Sequence, residues 1–151
     1  MRIVIMGCGR VGAGLASELS REGNEVTVLD TDPAAFRFLA DDFNGTKVVG
    51  NGIDIDVLRK IHLEKADAFV SATRGDNRNV MAAQIAKHIY GVPVVASRVF
   101  DPLREEMYRN MGLRTINPTR VQAKRLKRVI EAPDDAAANE LARDFMKQDG
   151  F

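Results

Sequence analysis

The sequence predicts an α/β fold, a Rossmann-like doubly wound parallel sheet of about six strands, followed by a crossover helix and a short helical tail. Short apolar segments alternate with helical patterns through roughly the first 117 residues. Helices between the strands force parallel pairing, and right-handed crossovers then wind the chain onto both faces of the sheet. A glycine-rich turn also joins the first strand to the first helix, as nucleotide-binding sheets of this class require.

The first half of the sheet is predicted from sharp changes in pattern. Arg2–Met6 is an apolar strand that ends at Gly7, and Val11–Arg21 then repeats apolar residues at the four-residue spacing of one helical face. Asp32 is a helix N-cap candidate, and the proline that follows it suits the first position of a helix. The segments after the first helix are predicted as a strand at Glu25–Leu29, a helix from Pro33 to about Phe43, a strand at Thr46–Val49 and a short helix around Ile55–Ile61.

The second half continues the alternation. A helix over Asn77–Tyr90 is stopped by Gly91 and the nearby Pro93. The other elements are predicted as strands at Ala68–Ser71, Val92–Ser97 and Arg114–Ile116, a loop at Thr73–Asp76 and a helix at Pro102–Met111. We expect a nucleotide-binding domain over residues 1–117, a crossover helix over 118–132 and a helical tail over 133–151.

Composition narrows the class of protein. The chain has 151 residues, 45% of them hydrophobic and 28% charged, which is typical of one folded domain. Its net charge of +1 gives no field that would gather nucleic acid. A single cysteine cannot form an internal disulfide, and no apolar run approaches the roughly 18 residues that span a bilayer. We therefore expect a soluble, cytoplasmic domain that binds no nucleic acid.

The glycine loop Gly7-Cys8-Gly9-Arg10-Val11-Gly12 predicts a phosphate site. Gly7 permits the tight turn, Gly9 lets the backbone approach a pyrophosphate, and Gly12 allows close packing of helix on strand. The phosphates would meet free N–H groups and the positive end of the helix dipole. We include Cys8 and Val11 among the expected ligand neighbours. Cys8 is chiefly a small residue that the loop tolerates, although the nearby helix N-terminus leaves a lowered thiol pKa open.

Asp30 stands at the end of the second strand, about 20 residues after the loop, where an acid accepts hydrogen bonds from the ribose hydroxyls of an adenosine. A 2′-phosphate would be repelled there, so NADP is disfavoured. Thr31 is expected beside it. The residues leave NAD(H), ADP and ATP open as ligands, with AMP possible. Arg10 favours an extra phosphate or the acid of a partner, and equally a solvated position at the helix start.

The other strand ends supply further candidates, because ligands of such sheets lie beyond the carboxyl ends of the strands. Asn51, Gly52 and Ile53 come after the third strand and can line an adenine, or form an ordinary glycine turn. The candidates after the fourth and fifth strands are Ala72, Thr73, Asp76, Asn79 and Arg98. Of these, Asp76 most simply caps the next helix, and Asn79 either reaches the ligand or bonds locally.

The sequence predicts no enzyme. His62 and His88 have no acid–base partner visible in the sequence, and no cysteine–histidine cluster indicates a metal. We also expect no second domain of the kind that holds a substrate against a nicotinamide. We interpret the nucleotide as a ligand that is sensed without reacting.

Five segments together resemble the TrkA-N domain, also called the RCK or KTN domain: "MRIVIMGCGRVGAGLASEL", "VTVLDTDP", "VVGNGID", "SATRGDNRN" and "ASRVFDP". Members of this family are cytoplasmic nucleotide-binding regulators of potassium channels and Trk/Ktr-type potassium transporters. The resemblance covers roughly residues 1–131 and implies a regulatory subunit located at the inner face of the membrane through its partner. The nucleotide contacts that it implies are Gly7, Gly9, Arg10, Gly12, Asp30, Asn51, Gly52, Ala72, Thr73, Asp76 and Asn79.

The resemblance also implies an assembly. The family's nucleotides alter the arrangement of domains in a homodimer or larger ring, which acts on a membrane-embedded channel or transporter. The arginine corresponding to Arg10 can reach a terminal phosphate across a dimer interface. The segment "NPTRVQAKRLKRVIEA" resembles the crossover helix, and one of its faces is apolar: Ala123, Leu126, Val129 and Ile130. This apolar face is covered either by a partner subunit or by packing against its own domain, and the sequence leaves both possibilities open. Many members continue into a C-terminal ligand-binding domain, and we expect none in the tail of this chain.

Two rival functions remain at this level. A small NAD-dependent oxidoreductase, or the cofactor-binding subunit of one, would need a substrate site that the sequence does not supply. A DNA-binding redox repressor is less favoured, because no helix-turn-helix unit is apparent.

Overall fold

The computed structural model describes residues 1–148, which fold as two compact units. Met1–Ile116 form the first unit, and the second begins at Asn117. The predicted tail extends to residue 151, and its last three residues lie outside the described part of the chain. Within the described residues, no helix combines the length and apolarity needed to cross a membrane.

The first unit contains a six-stranded sheet in the order β3-β2-β1-β4-β5-β6, and every neighbouring pair is parallel. This order confirms the predicted doubly wound sheet. The direction of winding reverses between β1 and β4, which places a crevice at the carboxyl ends of these two strands. The strands are β1 (Arg2–Met6), β2 (Glu25–Asp30), β3 (Thr46–Val49), β4 (Ala68–Ser71), β5 (Val94–Arg98) and β6 (Arg114–Ile116).

The helices cover both faces of the sheet. Those of the first unit are α1 (Arg10–Arg21), α2 (Ile55–Lys60), α3 (Asp76–Gln84) and α4 (Pro102–Asn110). Alternation along β1 explains the two cores: Val4 and Met6 pack into one cluster, whereas Ile3 and Ile5 pack into the other. Because both faces of β1 are covered, its sequence is continuously apolar and does not alternate with polar residues.

The predicted helix from Pro33 to about Phe43 is wrong in type and length. Pro33–Phe38 form a 3₁₀ helix, capped by the Asp32 side chain, which accepts a hydrogen bond from the Ala34 N–H. Leu39 adopts an extended conformation with ψ of 145° and ends the helix. Leu39 and Phe43 are nevertheless buried in the core, so their apolar spacing reflects burial of an irregular segment.

The helix predicted at Asn77–Tyr90 has two parts. The α-helical part α3 ends at Gln84, and Ile85–Ile89 continue as one π turn, in which the Tyr90 N–H donates to the Ile85 carbonyl over 3.2 Å. The next strand begins at Val94, two residues later than predicted, because Pro93 has no N–H to donate to the sheet. The remaining predicted boundaries in the first unit differ from the observed ones by at most one residue.

The second unit consists of α5 (Pro118–Ile130) and α6 (Asp135–Gln148). Asn117 caps α5, accepting a hydrogen bond of 2.8 Å from the Arg120 N–H. In α6, the Phe145 side chain is buried, and its ring centre lies 5.2 Å from the Arg125 guanidinium carbon and 4.9 Å from that of Arg128.

Candidate functional site

A cavity of about 720 Å³ opens at the carboxyl ends of the central strands, within the first unit. It lies at the reversal of strand order, where open parallel sheets place their ligand sites. Its lining combines the glycine loop with the loops after β2, β3, β4 and β5: Met6, Gly7, Gly9, Arg10, Val11, Leu29, Asp30, Thr31, Asp32, Ala35, Arg37, Phe38, Gly50, Asn51, Gly52, Ala72, Thr73, Arg74, Arg78, Arg98 and Phe100. Eleven of the sixteen predicted site residues are therefore brought to one cavity.

The glycine loop forms the floor of this cavity. Gly7 has a φ of +102°, a conformation that side chains rarely adopt, and its N–H donates to the Leu29 carbonyl over 2.7 Å. A Cβ on Gly9 would meet no atom within 4 Å, so the space above Gly9 is open to a ligand. Gly9 also serves as the N-cap of α1 without a side-chain acceptor, which leaves the first N–H groups of the helix available to an anion.

Gly12 does not line the cavity, and its role is packing. A Cβ at this position would lie 1.8 Å from the Gly7 carbonyl oxygen, far inside any real contact. Only glycine therefore lets α1 start this close to the turn that carries Gly7. The sequence predicted this close approach, and the geometry gives its atomic cause.

Asp30 connects the glycine loop to the end of β2. One carboxylate oxygen accepts a hydrogen bond from the Cys8 N–H at 2.7 Å, and the other accepts one from the Asp32 N–H at 3.0 Å. The carboxylate is partly exposed and lines the cavity. Each carboxylate oxygen has two acceptor positions, so acceptor capacity remains for a ligand hydroxyl.

Cys8 points away from the cavity and is fully buried. Burial, with a smaller contribution from the Asp30 charge, raises the pKa of its thiol to about 11. A lowered pKa at the helix N-terminus is therefore wrong for this residue, because burial and the Asp30 charge both favour the neutral thiol. Cys8 contributes a backbone N–H to the site, with its side chain in the core.

The loop after β3 brings Asn51 and Gly52 to the cavity and leaves Ile53 outside. The Asn51 side-chain oxygen accepts a hydrogen bond of 3.3 Å from the Ile53 N–H and shapes the turn. Gly52 is buried, and a Cβ there would lie 2.2 Å from the Met6 sulfur. Ile53 packs against the hydrophobic core.

Asn79 is fully buried in α3 and does not line the cavity. Its side-chain oxygen accepts hydrogen bonds from the Thr73 N–H at 2.8 Å and the Thr73 hydroxyl at 2.6 Å. Its side-chain nitrogen donates to the carbonyls of Thr73 and Arg98, each at 2.9 Å. Asn79 therefore fixes the loop that carries Thr73 to the end of β5, and local bonding describes it better than ligand contact.

Asp76 does not cap α3, so that prediction is wrong. Gly75 is the N-cap, and Asp76 is the first helical residue. The carboxylate instead accepts hydrogen bonds from the N–H groups of Phe100 at 2.8 Å and Asp101 at 2.9 Å. It thereby holds the turn between β5 and α4 against the start of α3.

The sequence reasoning missed most of the charge in the cavity. Arg37, Arg74 and Arg78 line it, in addition to the predicted Arg10 and Arg98. Arg74 and Arg78 stand within the motif "SATRGDNRN", immediately after a strand and in the first turn of a helix. This position in the sequence could have revealed both arginines as site residues, because side chains there can point beyond the carboxyl edge of the sheet.

No group of three or more histidine, cysteine or acidic side chains within the described part of the chain is arranged to hold a metal ion. His62 and His88 do not line the cavity.

The parallel sheet, the glycine turn with its uncapped helix and the acid at the end of β2 define a Rossmann-type ligand-binding domain. The family model named TrkA-N domain matches residues 3–118, and this chain belongs to that family. The Trk system potassium uptake protein TrkA of Streptomyces coelicolor is 45% identical over 128 residues, which are 85% of this chain and 57% of that protein. The chain therefore spans little more than half the length of this relative.

Solved structures share the fold at lower identity. The AMP-bound form of the Kef C-terminal domain of Shewanella denitrificans has a TM-score of 0.75 and 20% identity, and the match covers 99% of this chain and 93% of that one. The GsuK channel bound to NAD has a TM-score of 0.67 and 20% identity, and the match covers 80% of this chain and 22% of that one. At these identities the likeness shows the fold alone.

Proposed function

We propose that this chain is a non-enzymatic sensor of adenine nucleotides within a potassium-transport system. One observation carries the proposal: the carboxylate of Asp30 and the uncapped N-terminus of α1 face the same cavity, connected by the hydrogen bond from the Cys8 N–H. A ribose hydroxyl needs an acceptor such as the Asp30 carboxylate, and the phosphates of the same nucleotide need N–H donors such as those at the start of α1. Membership in the TrkA-N domain family and the potassium uptake relative support the choice of physiological system.

The adenosine would lie on the β2–β3 side of the cavity. Asp30 accepts hydrogen bonds from the ribose hydroxyls, and the Asn51–Gly52 turn lies alongside the adenine. The carboxylate repels a 2′-phosphate, so NADP binds more weakly than NAD. AMP, ADP, ATP and NAD(H) share the adenosine, and the AMP-bound and NAD-bound neighbours support this ligand class.

The phosphates would lie over Gly9 at the start of α1. The open space above Gly9 admits them, and the free N–H groups of the first helical turn donate to their oxygens. Arg10 is exposed and lines the same cavity. In a homodimer, its guanidinium would reach a terminal phosphate of a nucleotide held by the second copy of the chain. Arg10 would then distinguish ATP from ADP.

Sensing requires that the nucleotide bind one assembly state more tightly than another, because equal affinity would shift nothing. The helix α5 supplies a surface for assembly: Leu126 is 60% exposed and Ile130 is 81% exposed, although both are apolar. We propose that a second copy covers this face in a homodimer, which assembles into a larger ring. The ring acts on a membrane-embedded potassium channel or transporter from the cytoplasmic side.

A binding panel tests the proposed function. Isothermal titration with AMP, ADP, ATP, NAD, NADH and NADP should give saturable binding of adenine nucleotides, with NADP weakest. The mixture with NADH is then incubated with carbonyl substrates while NADH absorbance is followed. An absence of adenine-nucleotide binding would contradict the proposal. Turnover of NADH at a steady rate would also contradict it, and would favour an oxidoreductase.

A further inference from the structure

The cavity contains an excess of positive charge on the side away from Asp30. Arg74, Arg78 and Arg98 line this side, which is formed by the loop after β4, the first turn of α3 and the end of β5. We call these three residues the arginine wall. None of them forms an ion pair with a carboxylate of the described residues, 1–148.

Arg98 is held in place by the fold. Its guanidinium donates a hydrogen bond of 2.7 Å to the Thr73 carbonyl and lies 4.6 Å from the centre of the Phe100 ring. Its Nε is buried and finds no acceptor among the residues that the structure describes. Burial lowers the pKa of Arg98, the Asp76 charge raises it, and the charge of Arg74 lowers it further. The positive charges of Arg74 and Arg98 therefore repel one another, and a bound anion would relieve this repulsion.

The position of the arginine wall determines which group it meets beyond the diphosphate of a bound nucleotide. With the adenosine at Asp30 and the diphosphate over Gly9, the next group extends towards the loops after β4 and β5. In NAD that group is a nicotinamide riboside, which carries no negative charge and is cationic when oxidised. In ATP it is a phosphate, which accepts hydrogen bonds from guanidinium groups.

We propose that the arginine wall is an anion subsite that takes the terminal phosphate of a nucleoside triphosphate and disfavours a nicotinamide. This inference rests on the proposed function for the place of the adenosine, and it names the ligand: ATP in preference to NAD(H). The residues that recognise the phosphate belong to the same chain that binds the adenosine, unlike Arg10, which would act on a second copy.

Arg74 and Arg78 provide the test, because both are exposed and neither makes a hydrogen bond or ion pair within the described residues. Truncating them should therefore leave the fold intact. Arg98→Ala would also remove the bond to Thr73, so it is not the primary variant. Arg59→Ala is the matched control: it removes an arginine of α2 that pairs with Asp56 outside the cavity. Thermal unfolding verifies that all variants are folded.

Isothermal titration then compares ATP, ADP and NAD. In the unchanged chain, ATP should bind more tightly than NAD. Arg74→Ala/Arg78→Ala should weaken ATP by about tenfold or more and ADP by much less, since each charge-assisted hydrogen bond contributes about tenfold. NAD should keep its affinity, and Arg59→Ala should change none of the three. Equal losses for ATP, ADP and NAD, or no loss for ATP, would overturn the subsite.

Inorganic tripolyphosphate separates this inference from the proposed function. It should displace ATP from the unchanged chain and lose this ability in the double variant. If tripolyphosphate binds through Arg74 and Arg78 while no adenine nucleotide binds, the arginine wall binds polyphosphate, but the nucleotide sensor and the assignment of the wall to ATP both fail. If adenine nucleotides bind and the double variant binds ATP as the unchanged chain does, the sensor stands and the subsite fails.

Discussion

The backbone N–H of Cys8 donates a hydrogen bond of 2.7 Å to the carboxylate of Asp30, across 22 residues of chain. This bond links the glycine turn after β1, proposed to bind the phosphates, to the acid at the end of β2, proposed to bind the ribose. The two halves of the proposed nucleotide site are therefore held together before any ligand arrives. Such preorganisation reduces the ordering that binding must otherwise achieve.

Asp30→Ala should weaken every adenine nucleotide by a similar factor, about tenfold or more, because a charged acceptor of ribose hydrogen bonds is lost. Calorimetry with AMP, ADP, ATP and NAD measures the four losses. Asp30→Asn is the milder variant: its single amide oxygen can still accept the Cys8 N–H, whereas the charge and the bond from the Asp32 N–H are lost. The asparagine variant should also narrow the preference for NAD over NADP. Loss of one nucleotide alone would contradict the shared contact.

Arg10→Ala should weaken ATP by about tenfold and leave ADP within about twofold, because the guanidinium is proposed to contact only a terminal phosphate. Arg10→Lys keeps the charge without the planar fork and should give an intermediate loss. The measurement is a calorimetric titration at a protein concentration where the chain is assembled. Equal losses for ATP and ADP would exclude Arg10 as the residue that tells them apart.

Gly12→Ala should destabilise the first unit by at least about 4 kcal/mol, because its Cβ would lie 1.8 Å from the Gly7 carbonyl oxygen. Gly14→Ala is the matched control two residues further along α1, where a Cβ meets no atom within 4 Å. Because alanine has a higher helix propensity than glycine, Gly14→Ala should stabilise the chain by up to about 1 kcal/mol. Denaturant unfolding measures both variants. A mild effect at Gly12 would show that α1 can move away from the loop.

Cys8 should resist thiol reagents in the folded chain. A pKa of about 11, against 9.0 for an ordinary thiol, leaves about a hundredfold less thiolate at neutral pH, and burial blocks access further. Because the folded thiol keeps its proton at a higher pH than the unfolded one, the free energy of unfolding should fall as pH rises from about 9 to about 11. Cys8→Ala should remove this part of the pH dependence. Rapid labelling of native protein at pH 7 would contradict the buried thiol.

The sequence predicted the parallel sheet and most of the cavity because both depend on local patterns. Apolar segments such as Arg2–Met6 and the glycine loop determine their own conformation, and the strand ends then meet at one edge. The segment after β2 was mispredicted because Leu39 and Phe43 have the spacing of a helical face. Their side chains are buried, but the backbone that carries them is irregular.

Roles that depend on distant parts of the chain were not predictable from local patterns. The bonds of Asp76 to Phe100 and Asp101 cross 24 and 25 residues, so helix-cap statistics could not reveal them. The convergence of Arg74, Arg78 and Arg98 likewise depends on the pairing of β4 with β5.

The most direct test of the sensor is the mass of the assembled chain, measured by light scattering without nucleotide, with ADP and with ATP. The account predicts at least a dimer through α5 and a different assembly size or shape with ATP than with ADP. Leu126→Glu should reduce the chain to a monomer, whereas Lys124→Glu, on the opposite basic face of α5, should not. A monomer whose mass and hydrodynamic radius are the same in all three conditions, although it binds ATP and ADP, would contradict a nucleotide-controlled assembly.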